Sequence, residues 1–155
     1  KIPKTRKKKA NAAIKAIPSL KPDKLEYVCN ASFKFDDSSQ SVVPTITIET
    51  IAEFTSFSYE ITMDIVREKR EIFIILMGLR AKTNVVPTVQ PAIAELPFED
   101  LIGEYDVSIV KQDGAINTAV FKFNSFTKEI ELLKEFLPPK KNNRLFTKFT
   151  VIASS

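Results

Sequence analysis

The sequence predicts a mostly β, all-β-class domain: an antiparallel β-sandwich of about seven strands with one short helix, behind an extended basic N-terminal arm. Three observations lead there. Apolar and polar residues alternate at period two in several separate segments. Polar clusters or an Asp-Gly pair divide those segments. The 155 residues are 44% hydrophobic and 27% charged, which suits one globular domain with a sizeable core.

Residues 1–23 form the arm and 24–155 the domain. Lys1 to Lys9 is nearly all charge, and no apolar h-region follows it, so no signal peptide is expected. Ala10, Ile14 and Ile17 share one side of two potential helical turns, which Pro18 ends. A helix that short needs a surface to lie on. The body is expected to fold without this arm.

The first strand is the clearest. Leu25, Tyr27, Cys29, Ala31, Phe33 and Phe35 alternate with polar residues, which puts one face in a core. Asp36 to Ser39 closes it as a turn. Thr45 to Phe54 follows, with Ile46, Ile48, Ala52 and Phe54 in phase. A hairpin comes next: Phe57 to Ile65 alternates, Arg67 to Arg70 turns, and Glu71 to Arg80 returns apolar on both faces. A strand of that kind is expected to be covered on both sides or to sit centrally in a sheet.

Residues 81–103 carry Pro87, Pro91 and Pro97 and read as an extended crossover, with an edge strand near Val85 and Val89. Tyr105, Val107 and Ile109 then alternate, Asp113-Gly114 signals a hairpin, and Ala119, Phe121 and Phe123 form its partner. Phe126, Ile130, Leu133 and Leu137 fall on helical spacing, so a short helix is expected over 126–137. Leu145 to Ile152 is the last strand.

The segment Leu101 to Ile109, with its Gly103-x-Tyr105-x-Val107 phrase and the following Asp113-Gly114, resembles the late strand pair of immunoglobulin-like and fibronectin-like sandwiches. The resemblance covers about twenty residues and implies a fold, not an activity. The Cys…Trp…Cys pattern of antibody domains is absent, because the chain has one Cys and no Trp.

Several kinds of chemistry drop out. Histidine is absent, which removes the commonest general base and the usual Ser and Cys triads. Glycines at 78, 103 and 114 cannot build a phosphate loop. Cys29 sits on an apolar strand face, where a thiol is inert. No disulfide can form within the chain, no catalytic residue, metal or cofactor is expected, and no apolar run approaches the roughly 18 residues of a transmembrane segment.

What remains is charge. Residues 1–24 hold nine Lys/Arg and one acid, a net +8, and the other 131 residues carry −4. Lys4, Arg6, Lys7, Lys8 and Lys9 are the expected partner-binding residues. They point to a non-enzymatic interaction or structural subunit of a larger assembly, docked on a protein partner through its arm. The same cations suit RNA, DNA or an anionic surface, as in a nucleic-acid-associated virion-shell or ribonucleoprotein subunit. Glu95, Glu99, Asp100, Glu104 and Asp106 keep a third class open, a carboxylate-based enzyme or calcium-binding module.

Overall fold

A computed structural model describes residues 23–55, 57–83, 88–136 and 143–153. Nine strands follow one another: β1 (Tyr27–Asp36), β2 (Ser41–Phe54), β3 (Tyr59–Glu68), β4 (Glu71–Ala81), β5 (Gln90–Pro97), β6 (Gly103–Val110), β7 (Ile116–Asn124), β8 (Glu129–Phe136) and β9 (Thr147–Val151). They form one sheet in the order β8-β7-β6-β4-β3-β5-β2-β1-β9. The sheet curls until β8 comes alongside β9 and β1, which makes a nearly closed barrel.

The all-β class holds, but the sandwich of about seven strands is corrected to this single barrel-like sheet of nine. Pairing is mixed as well. β1–β2, β2–β5, β3–β4, β6–β7 and β7–β8 are antiparallel, whereas β1–β9, β3–β5 and β4–β6 are parallel. Gly103-Glu104-Tyr105 does open a strand, β6, but inside this continuous sheet.

Within the expected helix over 126–137, Glu129–Phe136 form strand β8, and residue 137 lies outside the described residues. Ile130 and Leu132 lie opposite Phe123 and Phe121, and Leu133 is an extra residue between two registers. That bulge breaks the period of two and leaves Ile130 and Leu133 three apart, which imitates a helix. The crossover over 81–103 likewise contains a full strand, β5. Its prolines fit because Pro91 and Pro97 stand near its ends and because β5 touches β3 at only one pair. Val85 lies outside the described residues.

Inward residues fill the barrel. Ile46, Ile48, Ile72, Ile74, Val107, Ile109, Phe121, Phe123 and Phe146 are all buried. At period two, each strand sends alternate side chains to that core. Phe121 makes edge contacts with Phe149, as Tyr105 does with Phe123.

The two barrel ends are held by polar clusters. At one end the guanidinium of Arg144, with its side chain only 9% exposed, bonds Glu26 at 2.8 Å and Asp113 at 2.9 Å, and Lys111 joins Glu26 at 2.6 Å. Beside it, Asn117 donates to the Arg144 carbonyl and accepts from the amides of Phe146 and Thr147. At the other end Arg67 and Arg70 lie against the Tyr105 ring, and Arg70 donates to the Ile102 carbonyl.

Candidate interaction surfaces

Three features of the barrel are unfinished. The first is a seam between β3 and β5. These parallel strands meet in register at Glu60 opposite Ile93 and then diverge. Each strand residue past that point still turns backbone groups to both sides. β4 satisfies one side of β3, and β2 satisfies one side of β5. The sides facing the seam border an open cleft of about 740 Å³.

The cleft's walls follow from strand alternation. Ala94 and Leu96 lie opposite Ile48 and Ile46, so they point inward. Met63 and Ile65 lie opposite Leu76 and Ile74, and they point inward too. Ile61 and Met63 line the cleft with Ala94 and Leu96, and Ile65, two residues further along β3, is 41% exposed. Paired charges edge the seam: Arg80 with Glu60 at the narrow end, and Lys34 with Glu95 at 2.7 Å. The wide end is stopped by Arg67, which binds Asp100 at 2.8 Å and covers the Phe98 ring at 5.6 Å. This bond holds the Asp100 carboxyl below its ordinary range.

A second gap, about 470 Å³, separates β8 from β9 where the sheet ends. Its β8 edge carries Glu129, Glu131, Lys134 and Glu135, the kind of charge that keeps an edge strand from pairing.

The third unfinished feature is the outer face of β4. This strand sits centrally in the sheet, between β3 and β6, as one of the two placements expected for it, and its outer side chains are only partly covered. Phe73 and Ile75 are half-buried, and Met77 is 46% exposed. Register extends the face sideways: Val66 lies opposite Phe73, Ile75 beside Val110, and Val110 opposite Ile116.

The acidic residues singled out in the sequence are dispersed. Glu95 pairs with Lys34 and Asp100 with Arg67, while Glu104 and Asp106 stand on the outer face of β6. Among the described residues no group of three or more Asp, Glu, His or Cys could hold a metal ion. Cys29 is fully buried, and burial pushes its thiol up to about 12. Asn30, in a glycosylation-type triplet, is buried within β1 and bonds Thr150. Lys4, Arg6, Lys7, Lys8 and Lys9 lie outside the described residues.

Sequence reasoning missed the seam. β3 and β5 are separated by the whole of β4, and no local pattern reports a parallel pair that forms at one position only. The exposed outer face was half visible, since the apolar run Ile72 to Leu79 announced two apolar faces. Among the described residues no helix is long and apolar enough to cross a membrane. No family, no curated protein and no solved structure matches this chain.

Proposed function

We propose that this protein is a non-enzymatic interaction module that takes up an extended segment of a partner protein by strand addition along β3. The carrying observation is the seam: β3 and β5 share one register pair and then frame a cleft with inward apolar residues along both edges. Strand addition draws affinity from main-chain hydrogen bonds and selectivity from alternate side chains. The incoming segment would present apolar residues inward at every second position, to Met63, Ile65, Ala94 and Leu96. Its intervening residues would face water between the ion pairs at the rim.

Three features support the absence of catalysis. The chain has no histidine, its thiol is buried, and two of the five candidate carboxylates are tied to cations. A closed apolar pocket, the usual small-molecule site, is not what the seam offers.

Selection of strand-length peptides from a random display library tests the reading. Binders should carry alternating apolar residues and slow hydrogen exchange at Thr62–Arg67 and at Ala94–Leu96. Ile65→Lys, which puts a charge on the seam's inward side, should weaken them at least about tenfold, or 1.4 kcal/mol. Binders that protect β8 and β9 instead would refute it. So would a hydrolytic turnover by the purified protein that one carboxylate substitution abolishes.

A further inference from the structure

Backbone alternation fixes what each wall of the seam offers. The Lys82 amide donates to the Ser58 carbonyl, so Ser58, Glu60 and the even-numbered residues after them in β3 turn their backbone groups to β4. The extra residue of that ladder, Met77, lies on β4 and leaves the alternation of β3 intact. Ile61, Met63, Ile65 and Arg67 therefore turn theirs to the seam. On the other wall the Phe98 amide donates to the Pro44 carbonyl, so Leu96 and Ala94 face β2, and Ile93, Glu95 and Pro97 face the seam. If the parallel pairing at Glu60 and Ile93 ran on, Thr62 would meet Glu95 and Asp64 would meet Pro97. Pro97 has no N–H to give the Met63 carbonyl, so the two strands cannot zip shut. Past the Glu60–Ile93 pair, β3 turns the amides and carbonyls of Met63, Ile65 and Arg67 to the seam, whereas β5 turns a single amide, that of Glu95.

The seam is closed at one end. A segment bonded to β3 cannot run past the Glu60–Ile93 pair within the sheet, so it stops there or bends away. β3 runs from Tyr59 at this end to Glu68 at the open one. A segment antiparallel to β3 thus brings its C-terminus to the closed end, and a parallel one brings its N-terminus. The charges there distinguish the two. Arg80, opposite Glu60, and Lys82, opposite Ser58, both line the cleft. The cleft's two carboxylates are already engaged, Glu60 by Arg80 and Glu95 by Lys34. Glu49 lies opposite Ile93 on the far side of β5. Among the described residues Lys82 takes part in no salt bridge.

We propose that the segment taken up by the seam is the free carboxyl terminus of a partner protein, antiparallel to β3, with its α-carboxylate on Arg80 and Lys82. This rests on the strand-addition reading above and adds the direction and the end of the segment. A terminus stops at the Glu60–Ile93 pair without turning out of the sheet. Its carboxylate accepts charge-assisted hydrogen bonds from the two cations, whereas an α-ammonium at that place would be repelled by them. Antiparallel pairing is also the more stable per residue. The seven steps from Glu60 to Arg67 span about 23 Å, so about seven terminal residues make the contact. At the open end the segment leaves past Arg67 and Asp100, a pair exposed enough to part at small cost.

Two random peptide libraries test it, one displayed with free C-termini and one with the same random segment held internally. The free-ended library should yield the tighter binders, and these should slow hydrogen exchange at Met63, Ile65 and Arg67. A selected binder is then synthesised as the acid and as the C-terminal amide. The amide should bind at least about tenfold more weakly, because charge-assisted bonds are lost, while N-terminal acetylation should leave affinity unchanged. To protein carrying Arg80→Gln and Lys82→Gln, acid and amide should bind alike. A spin label at the peptide's N-terminus should broaden the amides of Arg67 and Glu68, and one near its C-terminus those of Glu60 and Lys82. Binders that protect β3 but are indifferent to amidation, or that place the two labels the other way round, would overturn this inference and leave strand addition standing. If neither library yields a binder that protects β3, both fall.

Discussion

Asn117 offers a sharp test of what closes the barrel. It is 1% exposed. Its Oδ1 accepts from the Phe146 amide at 2.8 Å and the Thr147 amide at 2.9 Å, and its Nδ2 donates to the Arg144 carbonyl at 2.9 Å. One side chain on β7 thus holds the segment that leads into β9. Asn117→Leu keeps the number and branching of heavy atoms, although its methyl groups are bulkier, and removes all three bonds, leaving two buried N–H groups and one C=O without partners. Each orphan costs about 1–3 kcal/mol, so a loss near 4 kcal/mol is expected after partial relaxation. That is a large part of an ordinary domain's stability of roughly 5–15 kcal/mol. Asn124 is the control. Its side chain also accepts two amides, from Phe126 and Thr127, but in an exposed turn where water can replace it. Asn124→Ala should cost under about 1 kcal/mol. With a urea m-value of about 2 kcal/mol/M, the midpoints should fall by roughly 2 M and less than 0.5 M respectively. Equal shifts would refute the claim that burial, not bond number, makes Asn117 important.

The remaining predictions concern titration. Burial raises the folded Cys29 thiol to about 12, so its contribution is fully present below the unfolded value of about 8.5 and declines above it. Cys29→Ala should therefore flatten the alkaline limb of a stability–pH curve, and native Cys29 should resist a thiol reagent at pH 8 that labels it fully in denaturant. Asp113 goes the other way: the Ala115 amide, and then Arg144, hold its carboxyl below the ordinary range. Its contribution is present above about pH 3.9 and is lost as pH falls through the depressed folded value. Asp113→Asn should make the acid limb shallower in urea midpoints measured from pH 5 to 2.

Much of the sheet was legible because one face of each strand must be apolar. Of the residues that alternation put on the core side of the first strand, Cys29, Ala31 and Phe33 are buried, whereas Leu25 and Phe35 at its ends are exposed. The hairpin from Tyr59 to Ala81 and the Asp113-Gly114 turn were equally local signals. The errors came where local pattern and long-range pairing part company. At β8 a single extra residue, Leu133, shifted the phase and produced helical spacing. At β5 the prolines hid a strand that pairs fully on one side only. The choice between sandwich and barrel depends on which strands adjoin, and the parallel pairs β4–β6 and β1–β9 join segments far apart in sequence. Asn117 read as a polar residue before Ala119, and nothing nearby pointed to its partners across the end of the barrel.

The position of the seam has a physical cause in two irregularities of pairing. In the β3–β4 ladder Thr62 pairs with Gly78 and Met63 with Leu76, so Met77 is an extra residue. In the β2–β5 ladder the register shifts between Glu49 and Glu53, opposite Ile93 and Pro91. Both irregularities fall within a few residues of Glu60 and Ile93, the one place where β3 and β5 pair. A bulge bends its strand and increases the local right-handed twist. Two of them at the same level, one on each side of a junction that no hairpin turn enforces, swing the ladders apart beyond it. The β4 bulge also turns Met77 outward, beside the apolar row that ends at Ile116. One inserted residue thus helps to open the seam and to enlarge the uncovered face. A closed barrel would have no open edge to offer, because closure is how a sheet rids itself of edges. The chain's irregular residues therefore fall where an added strand would be accepted.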